Sequence, residues 1–169
     1  MTKKNKKINY LFIGGVVLIL GLLYLIMFTP SKIETKKVKL YFSFNQGQNL
    51  KAEVRKVTTD KLYKNTVQEL INGPTNEELV RTIPDGTQLI DLKLKERTLV
   101  LNFNSKLKEN HWGGSTGEMM TIYSIVNTMT QFPEINQVLF LIEGEEVKSL
   151  AGHMGLVEPI SANEKIIIE

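Results

Sequence analysis

The chain has 169 residues, 42% apolar and 23% charged. That is enough for one domain of about 100–150 residues plus an accessory segment, and too apolar for a wholly disordered or collagen-like protein. With no cysteine and only two histidines, His111 and His153, it cannot form disulfides, zinc–thiolate sites, iron–sulfur clusters, a cysteine nucleophile, a lipidated cysteine or a multi-histidine metal centre. The formal charge of +3 comes from the first 37 residues, where Lys3, Lys4, Lys6, Lys7, Lys32, Lys36 and Lys37 against Glu34 give a net +6; from Val38 onward 14 Lys and Arg face 17 Asp and Glu, a net −3 that argues against a nucleic-acid-binding surface.

Residues 1–7 form a basic tail. Ile8–Phe28 follows, 21 residues in which Asn9 is the only strongly polar side chain. As a helix this run would rise about 31 Å, against a hydrocarbon core of about 30 Å. Tyr10 and Tyr24 stand near its ends, where amphipathic rings prefer to lie. The competing reading is a cleaved secretory signal. Its apolar core would be shorter, about 7–15 residues, and no alanine precedes Ala52, although Thr29-Pro30-Ser31 does place small residues at alternate positions. The lysines before the span put the tail in the cytoplasm and the rest of the chain outside, in a single pass. Residues 29–37 are the expected linker, 38–160 the domain, and 161–169 a C-terminal strand or tail.

Val38–Phe44 alternates Val38, Leu40, Phe42 and Phe44 with Lys39, Tyr41 and Ser43, the period of a half-buried strand. After the turn cluster Asn45–Asn49, Leu50–Val57 reads as a more polar strand near an edge. Asp60 can cap a helix to Asn72 that buries Leu62, Val67, Leu70 and Ile71, with Gly73-Pro74 ending it. Thr75–Val80 reads as one more helical turn, and Ile83–Thr87 as a Pro-Asp-Gly turn. Leu89–Lys95 and Thr98–Phe103 flank Glu96-Arg97 as a hairpin with Leu99, Leu101 and Phe103 on one face. Ser115 and Glu118 have capping-box spacing at the head of a helix that buries Met119, Ile122, Tyr123, Val126, Met129 and Thr130 and stops at Phe132-Pro133. Gln137–Ile142 reads as a central strand, Glu143–Glu146 as a turn, Val147–Leu150 as a short return strand and Lys165–Glu169 as a last strand. The order describes an α+β fold, with two helices packed on one mixed or antiparallel sheet and preceded by the transmembrane helix.

Val38–Pro159 resembles the GerMN domain of spore-germination and sporulation proteins. The resemblance is carried by Leu40-Tyr41-Phe42, Leu70–Pro74, Arg81–Thr87, Gly113-Gly114-Ser115, Tyr123–Thr128, Phe132–Ile135, Phe140–Gly144 and Gly152-His153-Met154. Unlike many members, this chain has no cysteine for lipid attachment, and it holds one copy of the domain. Asn102 stands where the family favours aspartate, so no role for that carboxylate carries over. The resemblance implies a sandwich similar to the ring-building modules of sporulation membrane complexes, working by assembly at the envelope.

Gly113–Gly117 at a helix start could cradle an anion, but it lacks the Lys-Ser/Thr end of a P-loop, and capping accounts for Ser115 and Glu118. His153 would need a serine and an orienting carboxylate to act as a base, and no G-x-S-x-G occurs; its plainer reading is a loop residue. His111-Trp112 offers either a surface aromatic for glycan or a partner, or partial core packing. Glu143, Glu145 and Glu146 read as a solvated cluster rather than a glycosidase pair. No catalytic residue, metal ligand or cofactor is expected, and Trp112, His153 and Ser115 are the candidate ligand-binding residues. The sequence points to a membrane-anchored extracytoplasmic interaction module in sporulation or germination. Its expected partners are the membrane, copies of itself or other envelope membrane proteins, and peptidoglycan, with contacts along edges such as Ala52–Val57 and Ile166–Ile168. The alternative is a recognition domain for cell-wall glycan or peptide using Trp112, His111 and His153; an envelope hydrolase ranks last.

Overall fold

The computed structural model describes residues 10–28 and 33–168, with side chains over 13–25 and 33–168. The chain divides into two units, Met1–Ile33 and Glu34–Glu169.

In the first unit, α1 (Tyr10–Phe28) is a 19-residue helix without a charged residue. It has no polar face, and all its described side chains are exposed. Those side chains span about 20 Å, and among the described residues no helix is long and apolar enough to cross a membrane. The basic tail, Ile8 and Asn9 of the expected 8–28 span, and Thr29–Lys32 lie outside the described residues.

The second unit begins with β1 (Thr35–Phe44) and β2 (Asn49–Thr58), which pair antiparallel from Thr35↔Thr58 to Phe44↔Asn49. β1 starts three residues before the apolar alternation does, because Thr35–Lys37 extend the ladder although their side chains are exposed. α2 (Leu62–Asn72) follows, then the hairpin of β3 (Leu89–Lys95) and β4 (Thr98–Phe103), the short helix α3 (Lys106–Glu109) and α4 (Ser115–Met129). The chain closes with β5 (Gln137–Ile142), β6 (Glu145–Glu146), β7 (Ile160–Ser161) and β8 (Ile167–Ile168).

The strands form two sheets rather than the expected one. β1-β2-β8 make the first; β3-β4-β5-β6 make the second, with β7 also pairing β5. Among the described residues one isolated bridge, Ser43↔Val80, links β1 to the segment before the hairpin and not to the hairpin itself. Both sheets and both long helices nevertheless share one core. Val38, Leu40 and Phe42 of β1, Val67 and Leu70 of α2, Leu99, Leu101 and Phe103 of β4, and Val138 and Phe140 of β5 meet Ile122, Ile125, Val126 and Met129 of α4. Each such side chain stabilises the fold by about 1.5–3 kcal/mol through burial. α4 is covered on almost every side: beyond Ile122, Val126 and Met129 it buries Met120, Thr121, Ser124, Asn127 and Thr128, while Met119, Tyr123 and Thr130 of the expected stripe are only half-buried.

Several local expectations change for stated reasons. Lys61, with φ 63°, takes the N-cap of α2 in place of Asp60, and Asn65 Nδ2 instead ties Thr58 and Asp60 to the first turn. Thr75–Val80 forms turns, not a helix. Glu143 and Gly144, both with positive φ, turn the chain in two residues, so the return strand is Glu145–Glu146 and Val147–Leu150 is irregular but buried at Val147 and Leu150. The last strand is shortened to Ile167–Ile168, after a 3-10 turn over Glu164–Ile166.

The end of α2 shows why Asn72-Gly73-Pro74 is rigid. Arg55 of β2 donates to Gly73 O at 2.6 Å and Glu69 O at 3.2 Å, and Arg81 donates to Asn72 O at 3.1 Å. Two guanidiniums therefore satisfy carbonyls that a helix leaves without partners, at the end where positive charge is favourable. Gly73 has φ +87°, and a Cβ there would meet Arg81 Nη2 at 3.2 Å. The carboxylate of Glu53 completes the joint, accepting from Arg55 Nε (2.6 Å), Thr75 N (2.9 Å), Thr75 Oγ1 (2.8 Å) and Asn76 N (3.0 Å). Burial pushes its pKa up, but these donors outweigh burial and bring it down to about 2.

Candidate functional site: the groove at the start of α4

α4 opens without a side-chain cap. Gly114 stands at the N-cap, and neither Ser115 nor Glu118 makes the capping-box bonds their spacing suggests. The first intrahelical bond runs from Glu118 N to Gly114 O, so Ser115, Thr116 and Gly117 present amides with no acceptor inside the helix.

Glu118 has other work. It is fully buried and reaches a loop 32–36 residues further along, accepting from Leu150 N (2.7 Å), Ala151 N (3.0 Å), His153 N (2.8 Å) and Met154 N (3.3 Å). Burial alone would raise its pKa; the four amides together outweigh that and hold it below the usual carboxylate range. Glu118 therefore acts as a buried anion that organises the 150–154 loop. It places the His153 backbone inward while the residue as a whole remains exposed.

Beside the helix start lies a groove of about 290 Å³ whose walls include Gln46, Arg81, Thr82, Trp112, Thr116 and Gly117. Its rim loop is fixed by His111. Gly113 N–H donates to Nδ1 at 3.0 Å, and Nε2 lies 3.1 Å from Thr121 Oγ1. The Thr121 hydroxyl gives its single proton to Thr82 O at 2.6 Å, which leaves Nε2–H of His111 as the donor to Thr121 and assigns the neutral tautomer. Burial lowers the His111 pKa, opposed by the charge of Glu118 and a bond with Gly117. With both ring nitrogens engaged, His111 holds a loop and offers no free base.

Trp112 is 58% exposed, its ring centroid 5.9 Å from that of His111 at an interplanar angle of 56°. It belongs to no buried core cluster and lines the groove together with Thr116 and Gly117 of the helix start. Thr82, 1% exposed, forms part of the wall, and its hydroxyl is the one buried side-chain polar atom without a hydrogen-bond partner among the described residues. Of the sequence candidates, Trp112 lines the groove; Ser115 is exposed at the helix start and His153 sits in the Glu118-held loop, neither among the lining residues. Thr82 and Arg81 enter the site without any signal in sequence spacing. Among the described residues no group of three or more His, Cys, Asp or Glu is arranged to hold a metal ion. The groove sets the exposed Trp112 ring and Arg81 beside the first turn of α4, in a lining that is largely apolar and includes Val80 and Met120.

Three comparisons place this geometry among known proteins. A candidate lipoprotein from Clostridium perfringens, known from its crystal structure, is 27% identical over 80% of this chain and 95% of its own, with a TM-score of 0.56. The tandem GerMN domains of the sporulation protein GerM from Bacillus subtilis match at TM-score 0.64 with 18% identity, over 76% of this chain and 46% of theirs. The first GerMN domain of that protein alone matches at 0.59 with 16% identity, over 78% and 98%. At these identities the GerM matches establish the fold. No curated protein matches the chain. The family described as "Germane: Sporulation and spore germination" matches residues 39–148, most of the domain unit, in agreement with the fold. The chain belongs to the Germane family, whose domain is the GerMN fold seen in GerM.

Proposed function

We propose that this protein is a membrane-associated envelope protein of sporulation or spore germination, anchored by α1 with its domain outside the cytoplasm, and that it works by assembling with other proteins. The observation that carries this reading is α1. Described by itself, it exposes thirteen consecutive residues, from Ile13 to Leu25, and an apolar helix with no polar face is stable only in lipid or against another apolar surface. A domain tethered in a membrane gains effective concentration, so contacts too weak for dilute solution become sufficient. Its partners on this reading are copies of itself or other envelope membrane proteins, and not nucleic acid. Protease added to intact protoplasts should digest Glu34–Glu169 while sparing a tag placed before Lys3. Protection of the domain would reverse the orientation, and release of a shortened soluble form would mean that the apolar segment is removed.

The groove favours a second reading, recognition of cell-wall glycan or peptide, with Trp112 as the platform. Saturable binding to purified peptidoglycan that disappears in Trp112→Ala would move it to first place. An envelope hydrolase is the least supported: it would require turnover abolished by His153→Ala, at a residue engaged through its backbone.

A further inference from the structure

β3 is the outer strand of the second sheet, paired with β4 on one side and with no strand among the described residues on the other. Its hairpin closes through the two residues Glu96-Arg97, with Lys95 opposite Thr98. In a two-residue hairpin the residues flanking the turn form a hydrogen-bonded pair, and such pairs alternate along the ladder. Lys95, Lys93 and Asp91 therefore bond to β4, while the amides and carbonyls of Leu92 and Leu94 point to the open edge. Opposed residues share a face, so Leu92 and Leu94 lie on the side of buried Leu101 and Leu99, and Asp91 and Lys93 lie on the other. The apolar side is incompletely covered. Leu94 is 38% exposed, and a groove of about 460 Å³ opens between Leu92 and the start of α2 at Leu62 and Tyr63.

We infer that this edge pairs, antiparallel and about a twofold axis at Leu92, with β3 of a second copy of this chain. The register follows from two constraints. Only residues whose backbone groups point outward can exchange bonds, so Leu92 or Leu94 must face an outward-pointing residue. Of the registers this allows, the one centred on Lys93 sets Lys93 against Lys93, the one centred on Leu94 sets Lys93 against Lys95 twice, and the one centred on Asp91 sets Asp91 against Asp91. Centring on Leu92 sets Asp91 opposite Lys93 twice, Leu92 opposite Leu92 and Ile90 opposite Leu94, with no like charges facing. Asp91 and Lys93 already stand 3.6 Å apart within one strand, and the second copy completes an alternating cluster of four charges. Across the apolar side, Leu92 and Leu94 of the second copy continue the surface beside the α2 groove. Lysines and the bulge between Leu89 and Asp91 ordinarily discourage pairing at an edge. Here Asp91 converts that discouragement into selection of one register. The inference rests on the assembly reading and gives it a surface.

The test uses the full-length chain in membranes, which has no native cysteine. Leu92→Cys should crosslink to itself. When differently tagged copies carrying Asp91→Cys and Lys93→Cys are mixed, the heterotypic product should exceed both homotypic ones. In the Leu92→Cys background, Asp91→Lys or Lys93→Asp should each lower the yield about tenfold, as two attractive pairs become repulsive, and the double reversal should restore it. Both reversed side chains are more than half exposed, so folding is unaffected, and unchanged melting confirms it. Crosslinks through Val54→Cys or Ile168→Cys without any through β3 would overturn this interface and leave the assembly reading standing. Crosslinks at none of these positions would overturn both. A yield insensitive to charge reversal would overturn the register.

Discussion

Along the outer side of β1, from Lys39 to Ser43, five backbone groups that face away from β2 find partners within the chain. Lys39 N donates to Gln131 Oε1 at 2.9 Å, and Gln131 Nε2 donates back to Lys39 O at 2.8 Å. Tyr41 N donates to Thr128 Oγ1 at 3.1 Å, and Ser43 exchanges two bonds with Val80, at 3.1 and 2.8 Å. Along β3 nothing comparable occurs: the outward groups of Leu92 and Leu94 face no strand among the described residues. The difference follows from what lies alongside. β1 runs beside α4, the most enclosed helix, where an unsatisfied amide would cost about 1–3 kcal/mol, so side chains of α4 and its C-terminal turn finish the edge. β3 lies at the rim, where water or another chain can do so. One sheet edge is thus closed from within the chain, and the other has no strand beside it among the described residues.

The closed side should break hardest. Glu118→Ala leaves four amides, one buried and three partly buried, without their acceptor and should destabilise the domain by about 3–5 kcal/mol by thermal or denaturant melting, whereas His153→Ala should change little. Because the folded pKa of Glu118 lies below its ordinary value of 4.5, its contribution is complete above that value and is lost as pH falls through the folded one. Glu53, brought down to about 2, adds a second acid-sensitive contribution between about 4.5 and 2, on the order of 3 kcal/mol. Glu53→Gln should therefore flatten the stability profile over that interval; an unchanged profile would mean that its donors are not held.

Next in size, Gln131→Ala unseals the outer edge of β1 at Lys39. The cost should be smaller, about 1–3 kcal/mol, because this edge lies at the surface and water can replace part of what is lost. The same substitution should raise exchange at the Lys39 amide and leave that at Val126 unchanged. On the open side, Asp91→Lys and Lys93→Asp should move stability by no more than about 0.5 kcal/mol while changing association in membranes, which separates the two faces by kind of effect.

What was legible in the sequence was local. The β3–β4 hairpin has its strand bounds from alternation on either side of a two-residue turn, and α2 ends at Asn72 because Gly-Pro cannot continue it. Trp112 is a candidate as an aromatic in a polar loop, but its plainer sequence reading is partial core packing, which the structure overturns by leaving it 58% exposed. Nonlocal partnerships were illegible. Glu118 has the spacing of a capping box, and only the folded chain reveals that a loop more than thirty residues away supplies four amides instead. The same limit turned two sheets into one, since strand period does not say which edges meet. It also hid β3 as an edge, because its alternating leucines look like those of an interior strand until α2 is seen to cover only part of them.

Amide-resolved hydrogen exchange on the full-length chain, compared between membranes and dilute detergent, tests the contrast between the two edges most directly. Tyr41 and Ser43 should exchange slowly in both settings, because their acceptors belong to the same chain. Leu92 and Leu94 should exchange quickly in detergent and slowly in membranes, where a second copy supplies the missing strand. Fast exchange at Leu92 and Leu94 in both settings, or at Tyr41 and Ser43 in either, would contradict the account.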